Sequence, residues 1–168
     1  MIESASQRKV MHIGLGELSV TDDVDAVLEV RGIGSCLVVC VHDPLRKVGA
    51  MLHAVLPHGS HGESTGWRAK YVDEGILLLL HCMEELGAAR SHMIVKIVGG
   101  AEMFSGSGLS GSASIGEQNA EAARSVLAGL GLRLRGDDTG GDRGRTVRLS
   151  VRSGRLVVST IGGGSHEL

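Results

Sequence analysis

The stretch that decides the fold is Gly32-Ile33-Gly34-Ser35-Cys36-Leu37-Val38-Val39-Cys40-Val41-His42-Asp43-Pro44-Leu45-Arg46-Lys47-Val48-Gly49-Ala50-Met51-Leu52-His53-Ala54-Val55. Two apolar runs, 36–42 and 48–55, flank a turn signal. Both are short apolar runs on either side of turn residues, so they read as strands. Pro44 suits the second position of a type I turn, with Asp43 at the first. The expected product is a β-hairpin. If Asp43 and Arg46 close it, Cys36 stands directly opposite His53. Opposed residues share a face, with Cβ atoms roughly 4.5–5.5 Å apart. A one-residue slip would send them to opposite faces, so this inference depends on the turn.

The pairing has a chemical reason. A thiol is a weak nucleophile until it is deprotonated, and an adjacent imidazole can remove and hold its proton. A thiolate can attack an amide carbonyl, expel ammonia and leave a thioester for water to cleave. Gly34 and Ser35, in the glycine-rich approach to Cys36, are candidates for backbone support of the oxyanion. The plainer reading is that Cys36 is a small buried hydrophobe and His53 a core histidine. Cys40 is a poorer nucleophile candidate, about 13 Å along the strand from Cys36 at roughly 3.3 Å per residue. The two are too far apart for a disulfide. Cys82 falls among apolar helix residues and reads as core.

Working outward, further β-rich runs lie at about 9–15, 26–31, 92–98, 132–136, 146–151 and 155–161. Helices are predicted over 68–86 and 115–129. In the first, Ala69, Val72, Ile76, Leu79, Leu80, Met83 and Leu86 form one apolar stripe, stopped by Gly87. In the second, Ser114 and Glu117 make a capping box. Ser153-Gly154 predicts a two-residue loop joining the last two strands. Gly/Ser-rich stretches at 59–66, 105–116 and 136–144 read as loops. The expectation is an α/β fold: a single layered domain over 1–168, with mixed or antiparallel sheets flanked by two main helices.

Composition narrows the function. The 168 residues include 42% apolar and 21% charged residues, and the net charge is -2. That balance gives no strong pull toward nucleic acid. No apolar run is long enough to span a membrane, so no membrane insertion is expected. The polar start, Met1 to Lys9, does not read as a signal peptide. Three cysteines without a CxxC pair argue against a disulfide framework and fit a reducing, cytoplasmic setting.

The chain-long pattern resembles the CheD family of chemoreceptor glutamine deamidases. Gly32-Ile33-Gly34-Ser35-Cys36, Asp43-Pro44, Lys47-Val48-Gly49-Ala50-Met51 and His53-Ala54-Val55-Leu56-Pro57 are similar to its signature. Ile13-Gly14-Leu15-Gly16-Glu17 resembles its opening strand, and Lys96 to Phe104 its central GGA-x-MF segment. Ile115-Gly116 with Asn119, Asp138-Thr139-Gly140-Gly141 and Gly162-Gly163-Gly164 resemble further blocks. The resemblance implies a fold akin to toxin-type cysteine deamidases. It implies a protein-glutamine glutaminase acting on methyl-accepting chemotaxis receptors, with catalytic Cys36 and His53 and no cofactor. It also implies a CheC-type phosphatase as a candidate partner.

One position departs from the family pattern. The family places a threonine six residues before the cysteine, and here that residue is Val30. Valine cannot accept a hydrogen bond, and in cysteine–histidine systems a third group orients the imidazole. Ser35 and Asn119 are candidate replacements. The alternative is a regulatory binding protein of the pathway with reduced or no turnover.

Other features weigh less. Gly32-x-Gly34 precedes a strand and lacks a third glycine, so nucleotide binding is not expected. His58, His61, His53 and Glu63 could meet a metal, but a rim or lid over the site is the preferred reading of that loop. Trp67 is expected to anchor the loop in the core. Arg143, Arg145, Arg148, Arg152 and Arg155 read as a solvated strand face.

Overall fold

The computed structural model describes residues 8–60, 67–104 and 112–168. His61 and Glu63 lie outside the described residues.

The central hairpin is present, as β4 (Leu37–Asp43) and β5 (Val48–Ala54), both fully buried. Its register differs from the expected one. Asp43 pairs with Val48, and Val38 with His53. The Asp43 carboxylate accepts hydrogen bonds from the Leu45 and Arg46 amides at 2.9 and 3.1 Å, which stabilises a four-residue connection instead of a tighter closure. The shift is two residues, so the face of every side chain is preserved.

The hairpin is the centre of a five-stranded sheet with order β2-β5-β4-β6-β7, where β2 is Leu18–Thr21, β6 Ile94–Gly99 and β7 Leu134–Thr139. A second five-stranded sheet has order β1-β3-β8-β9-β10. Its strands are β1 (Lys9–His12), β3 (Ala26–Ile33), β8 (Arg145–Ser150), β9 (Leu156–Thr160) and β10 (Ser165–Glu167). Pairing is antiparallel except for β1 with β3 and β6 with β7. Mixed layered α/β architecture is therefore the observed fold. The short strands β2 and β10 were not legible in the sequence, where four and three residues give too little alternation to read.

Strand alternation sorts the core into two layers. Leu37, Val39 and Val41 of β4, with Ala50, Leu52 and Ala54 of β5, face helices α1 (Val72–Glu85) and α2 (Ile115–Gly129). Val38, Cys40 and Met51 face the other sheet, packing with Leu28, Val30, Val147 and Val158. Val30 is thus a buried contact between the sheets. Helix α1 follows a short 3-10 turn, Arg68–Lys70, so the predicted helix begins four residues late. Gly87, at φ 87°, ends the α1 segment as expected. Ser114 caps α2, its side chain accepting the Glu117 amide at 3.2 Å.

Four local expectations are corrected. The β8–β9 connection spans five residues, 151–155, rather than two, and across it the Ser150 amide donates to the Arg155 carbonyl at 3.0 Å. Trp67 is 65% exposed instead of anchored in the core. Cys82 is only half-buried. Among the basic residues, Arg152 and Arg155 pair with Asp25 and Glu167 on the surface, and the exposed Arg148 reaches the buried Glu29. Arg145 departs from that solvated pattern: it is buried and bridges to Asp138 at 3.0 Å.

Candidate active site

Cys36 sits immediately before β4, and His53 one residue before the end of β5. Alternation from Met51 turns His53 toward the space between the sheets, and the alternation of Cys40 and Val38, carried one residue past the start of β4, gives Cys36 the same side. Because Val38 is the residue opposite His53, Cys36 and His53 are diagonal neighbours. Such positions lie about 7–8 Å apart, within reach of an imidazole.

Three carbonyls hold the approach to Cys36 in place. The Ala101 amide donates to the Gly34 carbonyl at 2.9 Å, and the Gly100 amide to the Cys36 carbonyl at 2.8 Å. The Asn119 side-chain amide donates to Ser35 at 2.9 Å and to Val55 at 3.0 Å. Asn119 therefore ties the segment before Cys36 to the strand end after His53. Its Nδ2 is committed to these carbonyls, and its Oδ1 is buried with no hydrogen-bond partner among the described residues.

The close approach explains the glycines at the end of β6. Gly99 and Gly100 have φ of 118° and 61°. A Cβ on Gly99 would lie 2.4 Å from the Cys36 carbonyl oxygen. A Cβ on Gly116, at the start of α2, would lie 2.4 Å from the Gly100 oxygen. Backbone packs on backbone here, which brings the α2 N-terminus against the site.

His53 is buried, and its Nδ1 lies 3.4 Å from the Ile13 carbonyl oxygen. A carbonyl only accepts, so Nδ1 carries the proton and Nε2 the lone pair. Nε2 is buried and makes no hydrogen bond to Cys36 Sγ or to any other group among the described residues. Burial lowers the His53 pKa from its ordinary value, despite opposing help from the Ile13 and Gly14 backbone and from Glu17. Burial raises the Cys36 thiol, partly offset by the residue's own backbone N–H. Both groups are thus neutral in the unliganded protein near pH 7.

The turn that supplies the Ile13 carbonyl was expected to be strand. The strand ends at His12, and Gly14 to Glu17 wrap around His53 instead. The signal for this was the G-x-G-E spacing, since alternating glycines are a turn pattern as much as a strand pattern.

Beside Ser35 opens a cleft of about 560 Å³, lined by Met103, Phe104, Ser114 and Ile115 among others. Phe104 is 89% exposed, and Met103 and Ile115 are also exposed. His58 has its Nδ1 3.3 Å from Asp73. Among the described residues no cluster of three or more metal-ligating side chains occurs.

Fold and site define a layered α/β protein in which a thiol and an imidazole share the mouth of an inter-sheet layer. The chain belongs to the CheD family, described as CheD chemotactic sensory transduction, which matches residues 55–160. It is 42% identical to the probable chemoreceptor glutamine deamidase CheD of Symbiobacterium thermophilum, over 97% of this chain and 99% of that protein. It is 38% identical to the chemoreceptor glutamine deamidase CheD of Thermotoga maritima, over 92% and 94% of the two chains. A solved structure, the hypothetical protein YfiH of Bacillus licheniformis, aligns with a TM-score of 0.48 and 11% identity. That alignment covers 82% of this chain and 61% of the other.

Proposed function

We propose that this protein is a cytoplasmic protein-glutamine deamidase acting on methyl-accepting chemoreceptors, with Cys36 as nucleophile and His53 as general base. The observation that carries the reading is the buried, unpartnered Nε2 of His53 on the same face as Cys36. An imidazole with its far nitrogen anchored and its near lone pair bare is prepared to take a proton. The family relationship supplies the reaction class and substrate.

The cycle balances without a cofactor. Cys36 gives its proton to His53 Nε2 as sulfur attacks the glutamine carboxamide carbon. The tetrahedral intermediate collapses, and the imidazolium donates that proton to the leaving nitrogen, releasing ammonia. A thioester remains. His53 then takes a proton from water, whose oxygen attacks the thioester, and the product is glutamate with the thiol restored. The carbonyls of Gly34, Ser35 and Cys36 are already bonded elsewhere, which fixes peptide planes whose N–H groups can face the oxyanion.

Substrate binding has to bring sulfur and Nε2 into contact, since they are not hydrogen bonded in the free protein. Catalytic hydrogen bonds are commonly longer before substrate arrives. The exposed Met103, Phe104 and Ile115 beside Ser35 offer an apolar edge for the surface of a receptor helix. The CheC-type phosphatase partner rests on the family resemblance.

The test is ammonia release from a purified chemoreceptor cytoplasmic fragment. Wild-type protein should release ammonia and Cys36→Ala and His53→Ala should not; full activity in Cys36→Ala sinks the reading. A second reading, a regulatory binder without turnover, is favoured by the apolar Val30. It predicts receptor binding with no ammonia even at high protein concentration.

A further inference from the structure

The turn at Ile13 to Glu17 holds His53 at three points. The His53 amide donates to the Glu17 carbonyl at 2.9 Å, and the Gly16 amide donates to the His53 carbonyl at 2.9 Å. The third point is the ring itself, through Nδ1 to Ile13. This turn contains two glycines and would be loose on its own. Among the described residues, the side chain that hydrogen-bonds this turn's backbone is Glu17, whose Oε2 accepts the Gly14 amide at 2.8 Å.

The Ile13 carbonyl and the Gly14 N–H belong to one peptide group. A trans peptide is rigid, and its C=O and N–H point in opposite directions. A carboxylate gripping the N–H from one side therefore sets where the C=O points on the other. It also polarises the amide and strengthens its oxygen as an acceptor. The Ile13 side chain, buried between the sheets, pins the same residue from below.

We propose that Glu17 is the positioning residue for His53, acting through the Ile13–Gly14 peptide to hold the imidazole as the Nδ1–H tautomer. The carboxylate–peptide–imidazole relay does the work that a hydroxyl at position 30 would otherwise do. This rests on His53 being the base, as proposed above. Burial holds the ring neutral, and Glu17 is the charged side chain whose field favours the imidazolium as it forms.

Nitrogen NMR of His53 in ¹⁵N-labelled protein reads the tautomer without any assay of activity. Wild type should show a protonated Nδ1 and a bare Nε2. Glu17→Ala should give a mixture of tautomers and lower kcat for ammonia release by about ten-fold or more, with KM changed by about two-fold or less. Glu17→Gln keeps an oxygen for the Gly14 amide, so it should retain the tautomer while moving the acid limb of the pH–rate profile downward. If wild type releases no ammonia, the deamidase reading fails, and the tautomer in Glu17→Ala still decides the role of Glu17. An unchanged tautomer in Glu17→Ala overturns the proposal, whatever happens to the rate. So does an equal loss of kcat in Glu17→Ala and Glu17→Gln accompanied by loss of fold.

Discussion

Cys36 and His53 are both held neutral by burial, and this sets what their titration looks like. The thiol is raised above its ordinary value of 9.0, so thiolate accumulates only in the alkaline range. Alkylation of Cys36 by iodoacetamide, followed by peptide mass spectrometry, should climb steadily from pH 7 to 9 with no plateau. A plateau already reached below pH 7 would mean a preformed thiolate–imidazolium pair and contradict this. Val30 belongs to the same scale. Since Nδ1 already has the Ile13 carbonyl, Val30→Thr should change kcat by no more than about three-fold and cost about 1–2 kcal/mol from the buried hydroxyl. A rise of orders of magnitude in ammonia release would show that the carbonyl is a poor substitute. Asn119→Ala removes a buried donor from two carbonyls, and about 2–4 kcal/mol should be lost in urea unfolding.

Among the elements, α2 is placed by contact of glycine with glycine. Its N-terminus can approach the site only because Gly116 and Gly100 lack side chains. Gly116→Ala should push the helix away, destabilise the protein by about 1–3 kcal/mol, and slow deamidation through the displaced Asn119. The control is Ser114→Ala, which removes the cap and should cost only about 1 kcal/mol while sparing the rate. Equal rates in the two variants would show that the position of α2 does not matter to the site. The hairpin tells a related lesson. Pro44 and Asp43 announced a turn, but the number of residues in it depended on the Asp43 side chain capping two amides. A pattern of residue types marks where a turn falls more firmly than how long it is.

For the whole molecule, buried ionisable groups make stability depend on pH. His42, with its Nε2 on the Val151 carbonyl, and His53 are both lowered by burial from 6.5. As pH falls below about 6.5, the unfolded chain takes up protons that the folded chain refuses, so stability falls. Glu29 and Asp43 act lower down. Burial opposes their ionisation, but Arg148 and Arg31 outweigh it for Glu29, and the Ala89, Arg46 and Leu45 amides for Asp43. Their stabilisation is present above the ordinary values of 4.5 and 3.8 and is lost as pH falls through the lower folded values. Urea midpoints measured from pH 8 to 3 should therefore decline in two stages. The double variant His42→Gln, His53→Gln should lose the upper stage; its persistence would mean that other groups carry it.

The sequence by itself determined the class of fold, the strand pair, the shared face of Cys36 and His53, and the family. These follow from period-two alternation and turn chemistry, which are local, and from motifs spread along the chain. Only the tertiary structure decided what holds the imidazole. The Ile13 carbonyl lies forty residues from His53 in sequence. A backbone carbonyl leaves no mark in residue identity, so Val30 looked like a missing partner. Asn119 likewise reads in the sequence as a candidate orienter of the imidazole, and only the docking of α2 makes it the tie between the segments carrying Cys36 and His53. Hydrogen bonds to main chain across long loops depend on where the elements come to rest, and that is fixed by packing between the layers.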